Sequence, residues 1–360
     1  MLAQTIEYAQ TELDFVLSSS QGSPVVASLG HSVGEISALA AAGCMTHPQA
    51  AVLLAARGSA MANAVEASKY PTGMSALLPV QRAAVQKAAA EASLAASTQG
   101  QLGVAVAANL NSASQTVVSG HSHVIDMLVA SLKSSSRLRA VPLSVSAPFH
   151  SPIMAPALHS IAKAIAPARE LSKAPIPAHL LTAAFSHEAW FAVFQEQSRE
   201  TVCLNDLSTF LCGHFNLKCD PEADRGDDDE PAFASLLQRG TVPVYSNVTA
   251  LPHSFGGDDA PLAVALQAIA PVQWHRSMQH VLQGSDESAH EQPNVLLEIG
   301  PGSTLASLAK QISKEGGAHL DSQPIICNLD SAESIAELVR RAEKAPLGLA
   351  DPAAWEMSKK

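Results

Sequence analysis

The stretch "VVASLGHSVGEISALAAAG" (Val25–Gly43) constrains this chain more than any other part of it. A short apolar run ends at Gly30, Ser32 follows two residues on, Gly34 two residues later, and an Ala- and Leu-rich run closes at Gly43. The first run reads as a strand buried on both faces, which suits a parallel sheet covered by helices. The second reads as a helix stopped by its glycine. A strand that turns sharply into a helix with serine at the turn is a nucleophile elbow. The tight turn exposes Oγ, and the following helix aims its first N–H groups at the site. Ser32 is therefore the candidate nucleophile, and the backbone N–H of Val33 a candidate donor to a developing oxyanion. His31 cannot easily curl back onto its neighbour's hydroxyl and reads as a packed residue that shapes the turn.

The rest of the pattern is of the α/β kind. "HPQAAVLLAARGSAMANAVEAS" is a helix opened by Pro48. Residues 73–145 run strand, helix, strand, strand, helix, strand, which is the ferredoxin-like order. "VPVYSNV" and "NVLLEIGPGSTLASLAKQIS" then return to the alternation of strand and helix. The expected architecture is a hydrolase-like large domain on a parallel sheet, formed by 1–72 and 146–345. A ferredoxin-like subdomain, 73–145, is inserted into it. Residues 178–240 fit neither period. They are polar, hold Cys203, Cys212 and Cys219, and contain the acid run "DPEADRGDDDE" (Asp220–Glu230). They are expected to form a surface insertion, partly disordered. The opening "MLAQTIEYAQTELDFVL" reads as an amphipathic helix.

Charge and cysteine usage narrow the function. The formal net charge is -11, much of it from that acid run. No basic stripe suited to a phosphate backbone is visible, which excludes a nucleic-acid partner. No apolar run is long enough to span a membrane, so no membrane role is expected. Five scattered cysteines, an odd number, favour reduced thiols over a disulfide framework. The spacing of Cys203, Cys212, His214 and Cys219 matches no usual ligand pattern, so no metal is expected.

A serine nucleophile needs a base, and fourteen histidines make a histidine somewhere uninformative. His150, in "PLSVSAPFHSPIM", stands where the small subdomain returns to the large domain, a junction at which clefts form. Arg57, in "LAARGSAMANA", lies among Ala and Leu on the helix after the elbow, and Met61 shares its face. A cation there calls for an anionic partner. Two readings stand. One is a structural salt bridge or a side chain that snorkels to the surface; the other is a bidentate clamp for a substrate carboxylate, with Met61 as a further substrate-binding candidate.

Seven stretches, "GHSVGE", "ARGSAM", "NLNSASQTVVSG", "SAPFHSPIMAP", "VPVYSNV", "PVQW" and "EIGPGSTL", occur in the order found in malonyl-CoA:acyl carrier protein transacylases. The chain resembles that family over about residues 20–330 apart from the insertion. "YSNV" and the Phe before the His are most similar to organellar members, which implies a mitochondrion or plastid. The resemblance implies that Ser32 is acylated, that His150 is its base and that Arg57 binds the malonyl carboxylate. It further implies that Val33 lends one oxyanion donor, that the main-chain carbonyl of Gln267 orients the histidine in place of an acid, and that Phe149 distinguishes malonyl from bulkier units. The implied activity is an acyltransferase, an [acyl-carrier-protein] S-malonyltransferase that supplies fatty acid synthesis. Its partners are a coenzyme A thioester and acyl carrier protein, and it needs no cofactor.

Two departures from the family bear on this. The family opens with a strand and a Gly-Gln-Gly loop that supplies the second oxyanion donor. No such segment stands here, and the sequence is expected to be an incomplete copy of a longer protein, with any targeting peptide absent too. The insertion at 178–240 is the other. Two alternatives follow: an α/β serine hydrolase using the same elbow, and a catalytically impaired carrier-binding protein.

Overall fold

The computed structural model describes residues 25–135, 137–166, 171–186, 188–197, 201–218, 237–284, 292–293, 295–315, 324–331 and 333–334. The opening amphipathic helix, the acid run and Cys219 lie outside them. The chain divides into two compact units, Ser28–Ser277, and Met1–Ala27 with Met278–Lys360. These boundaries do not coincide with the ends of 73–145.

Within Ser28–Ser277 the elbow leads into α1 (Val33–Ala41), and α2 (His47–Glu66) follows. The second helix begins on a capping box. The Thr46 hydroxyl accepts from the Gln49 amide at 3.3 Å, and Gln49 Oε1 accepts from the Thr46 amide at 2.8 Å. Two of the helix's first N–H groups are thus satisfied locally. Within the expected strand at 25–29, Ser28 makes an isolated parallel bridge to Val244. Ser28 N–H donates to Pro243 O at 2.9 Å, and Tyr245 N–H donates to Ser28 O at 3.1 Å.

The segment 72–142 forms β1 (Thr72–Leu78), α3 (Arg82–Thr98), β2 (Ala105–Leu110), β3 (Thr116–His121), α4 (Ser122–Ser135) and β4 (Arg139–Pro142). The four strands make an antiparallel sheet in the order β2-β3-β1-β4. Alternation along the strands gives the sheet two apolar faces. Leu77, Ala107 and Val118 pack with Val85, Ala92 and Leu128 of the helices. Met74, Ala76, Ala108 and Val117 form the other face, against which Phe149 packs. Phe149 also packs on the main core, so the residue before His150 touches both apolar clusters. Edge strand β2 is extended by Val272, whose N–H donates to Ala108 O at 2.8 Å and whose carbonyl accepts from Leu110 N–H at 2.9 Å.

The main core is helical. It holds α1, α2, a 3-10 turn (Pro152–Ala157) and α5 (Leu158–Ile165). The expected surface insertion at 178–240 is corrected here for its described residues 178–186, 188–197 and 201–218. This part folds as α6 (Ala178–Phe185), α7 (Ala189–Gln197) and α8 (Leu204–His214). Phe185, Trp190, Phe191, Phe194, Leu204, Leu207 and Leu211 are buried in the same core as the elbow helix. Their rings interlock, with Phe185 and Trp190 centred 4.9 Å apart and Phe194 and Phe210 5.0 Å apart. Aromatic burial on this scale makes the segment part of the fold. Cys44, Cys203 and Cys327 are free thiols, whereas Cys212 is disulfide-bonded. Next comes α9 (Asp259–Leu266), apolar on all sides and buried from Ala260 to Leu266, and then α10 (Trp274–Gln283).

In the second unit, β5 (Val295–Ile299) and β6 (Ile325–Leu329) pair in parallel around α11 (Thr304–Glu315), a βαβ unit. Glu298 sits at the end of β5, and its carboxylate accepts from the amides of Leu305 and Ala306 at 3.0 and 2.8 Å. An anion there satisfies orphan donors and complements the positive end of the helix. Glu298→Ala should weaken that turn by ~1 kcal/mol. Amide hydrogen exchange at Leu305 and Ala306 should then speed up about fivefold; unchanged exchange would refute the capping role.

Candidate active site

The elbow is built by close approach. A Cβ on Gly30 would stand 1.8 Å from the carbonyl oxygen of Gly34, so only glycine fits there. Ser32 adopts φ 53°, ψ -116°, a conformation that side chains rarely take. It is held by Asn247, whose Oδ1 accepts from Ser32 N–H at 2.7 Å while its Nδ2 donates to Gly30 O at 2.7 Å. His31 is turned away from its neighbour. Its Nε2 meets Asn111 Oδ1 at 3.0 Å, its ring lies 5.5 Å from that of Trp274, and burial lowers its pKa.

His150 comes to Ser32 from 118 residues away, with Nε2 2.6 Å from Oγ. It too has positive φ, 59°. Its backbone N–H donates to Ala268 O at 3.1 Å, and its Nδ1 lies 2.8 Å from the carbonyl oxygen of Gln267. A carbonyl only accepts, so Nδ1 carries the proton and Nε2 offers a lone pair to the serine hydroxyl. Gln267 caps the C-terminus of α9, where the last carbonyls have no partner within the helix. The negative end of the helix dipole therefore faces the imidazole, and it favours the imidazolium that forms when the ring takes a proton. Burial, followed by the nearby Arg57 charge, pushes the resting His150 pKa down to about 3, against the pull of the Gln267 carbonyl. At neutral pH the ring is an uncharged base.

Arg57 approaches from α2, buried to 9% exposure. Its Nη2 lies 3.5 Å from Ser32 Oγ and donates to Gln267 Oε1 at 3.2 Å. Burial lowers its pKa, and the charge of Glu35 opposes that shift. Gln267 is the hub. Its Nε2 donates to Ser32 O at 3.1 Å and also, over a very short contact, to Glu35 Oε2. Glu35 is fully buried, and its Oε1 lies 2.6 Å from His253 Nε2.

Ser32, His150, Arg57 and Gln267 thus converge within hydrogen-bonding distance. Phe149, next to His150 in sequence, is a partly buried ring packed against the main core. Val33 is the first residue of α1, where a backbone N–H has no acceptor within the helix, and its side chain is half exposed. Met61, expected to bind substrate, is 1% exposed and packs in the main core, so its side chain has no open face for a substrate. Asn247, Glu35 and His253 carry no role in the sequence reading. Asn247 and Glu35 lie within the quoted stretches "VPVYSNV" and "GHSVGE", but nothing local indicates that they meet at one place. Among the described residues no group of three His, Cys, Asp or Glu side chains could hold a metal ion. No helix among them is long and apolar enough to cross a membrane.

An α/β fold with a Ser–His pair on an elbow defines a class of proteins that handle acyl groups, hydrolases and transferases alike. A family model described as acyl transferase domain matches residues 5–209, more than half of the sequence, and the chain belongs to that family. The malonyl CoA-acyl carrier protein transacylase of Salmonella typhimurium is 37% identical over 137 residues, 38% of this chain and 41% of that relative. Its Escherichia coli K12 counterpart is 28% identical over 284 residues, 79% of this chain and 64% of that relative. The chain therefore spans less than two thirds of either relative's length. A solved malonyl-transacylase in complex with its type II PKS acyl-carrier protein superposes with TM-score 0.60 at 20% identity, covering 94% of this chain and 78% of that one. At that identity the likeness establishes the fold.

The lowered His150 pKa has a signed consequence. An ordinary imidazole is half protonated at about pH 6.5, whereas His150 stays neutral well below that. Labelling of Ser32 by neutral phenylmethanesulfonyl fluoride should stay level from about pH 8 to about pH 5 and fall only below that. In the unfolded chain the same ring binds its proton first, so stability falls as pH drops below about 6.5. A labelling midpoint near pH 6.5 would contradict this environment.

Proposed function

We propose that the protein transfers a malonyl group from malonyl-CoA to the phosphopantetheine thiol of acyl carrier protein, through a malonyl ester on Ser32. The observation that carries this reading is Arg57, a buried guanidinium 3.5 Å from the Ser32 hydroxyl. A cation beside a nucleophile suits an acyl group that ends in a carboxylate. The names of the two curated relatives support the same substrate and carrier.

Ser32 Oγ attacks the thioester carbonyl as His150 Nε2 takes its proton, and the Val33 N–H faces the developing oxyanion. Collapse of the tetrahedral adduct breaks the C–S bond, and His150 returns the proton to the departing coenzyme A thiolate. In the second half-reaction the carrier thiol gives its proton to His150 and attacks the malonyl ester. The C–O bond breaks, and Ser32 Oγ takes the proton back. Arg57 pairs with the distal carboxylate throughout. Phe149 walls the acyl site and Met61 supports it. An organellar location, in mitochondrion or plastid, rests on the motif resemblance alone.

Acetyl-CoA lacks the carboxylate and leaves Arg57 without its partner, a loss of about 2–5 kcal/mol. Intact-mass measurement after incubation with malonyl-CoA should show one malonyl adduct, absent in Ser32→Ala. Arg57→Ala should load malonyl at least about 30-fold more slowly, the rate equivalent of ~2 kcal/mol, without a comparable loss towards acetyl-CoA. A folded protein that never gains the adduct would overturn this function.

A further inference from the structure

We infer that Glu35 is a positioning residue that sets acyl specificity by fixing which end of the Gln267 side-chain amide faces Arg57. The inference rests on the transacylase reading above and names a residue outside the Ser32, His150 and Arg57 set.

The Gln267 amide has one accepting end and one donating end. Its accepting end, Oε1, receives Arg57 Nη2 at 3.2 Å, and its donating end, Nε2, is engaged by Ser32 O and Glu35 Oε2. Turned over, the amide would present N–H groups to a guanidinium, donor against donor, in a buried place where neither could turn to water. A carboxylate on the far side opposes that flip, because the turned amide would set its own oxygen against the Glu35 oxygen that now accepts from Nε2. The other oxygen, Oε1, lies 2.6 Å from His253 Nε2, which holds the carboxylate in place. Glu35 is 0% exposed, Gln267 1% and His253 9%, so the arrangement is dry and its alternatives are costly.

The same carboxylate supplies the negative charge that a buried Arg57 lacks while no acyl group is present. Glu35 does not touch Arg57 directly; one amide stands between them. Arg57 therefore keeps a guanidinium N–H set for an incoming carboxylate and is not consumed in a direct ion pair. The backbone carbonyl that holds His150 belongs to the same residue but is fixed by the helix end, since Gln267 N–H donates to Ala263 O at 3.1 Å. Disturbing the side chain should thus weaken carboxylate recognition more than the Ser–His pair, which loses the bond from Gln267 Nε2 to Ser32 O but keeps the carbonyl on His150 and the Asn247 bond to Ser32 N–H.

The test compares two readouts at Ser32 in the full chain: loading by malonyl-CoA, and labelling by neutral phenylmethanesulfonyl fluoride. Glu35→Gln should slow malonyl loading at least tenfold, mainly through a raised KM, while fluoride labelling stays within threefold of the unaltered protein. Should Glu35→Gln fail to fold, His253→Ala, which removes the ring that holds Glu35 Oε1, should shift the ratio of the two rates threefold or more in the same direction. Equal loss in both readouts, or no loss in either, overturns the assignment of Glu35. An unaltered protein that takes the fluoride and gains no malonyl group overturns the transacylase reading instead, and this assignment with it.

Discussion

The hydrogen bond from His150 Nδ1 to the carbonyl of Gln267 is the contact on which the rest of the site depends. It decides the tautomer of the ring, and so which nitrogen faces Ser32. A charged acid in that place would hold the ring as well, but it would add an anion beside a site proposed to receive a carboxylate. A helix-end carbonyl supplies only a fraction of a charge. That choice is consistent with Arg57 lying close by, and with an imidazole that stays neutral at rest. One residue meets both groups: the main-chain carbonyl of Gln267 holds His150 and its side chain accepts from Arg57.

Holding this geometry has a conformational cost. Ser32 and His150 both sit at positive φ, a strain on the order of 1–3 kcal/mol each. Such residues persist only where their surroundings over-determine them. Asn247 bonds both ends of the elbow, the Gly30–Gly34 approach leaves no room to relax, and Ala268 holds the histidine's own amide. Phe149 packs between the small sheet and the main core, so the position of His150 depends on both clusters. Two of the four non-glycine residues with positive φ among the described residues are thus at the site, and the packing that supports them is distributed through the Ser28–Ser277 unit.

What could be read from sequence, and what could not, follows from the range of each interaction. The elbow, the capped α2 and the strand-helix order of 72–142 are set by neighbours a few residues apart and leave periodic or motif-like traces. His150 and Arg57 were identifiable because a lone basic group in an apolar or junction setting is unusual. Residues 178–218 misled because their polar faces dominate the composition while the buried faces of three short helices follow no single period. A signal was present: Phe185, Phe191, Phe194, Phe210 and Phe215 are five of the nine phenylalanines in the chain. Residues that costly to expose mark a core. Asn247 and His253 meet the elbow across more than 200 residues, a closure that only the tertiary fold defines.

The central claim, that a helix-end carbonyl sets His150 as a neutral base towards Ser32, is tested most directly by nitrogen-15 NMR of the His150 ring at neutral pH. The account predicts a protonated Nδ1 and an unprotonated Nε2 in the resting protein, with the Nδ1 proton signal lost in His150→Gln. A ring protonated at Nε2, or at both nitrogens, would contradict it.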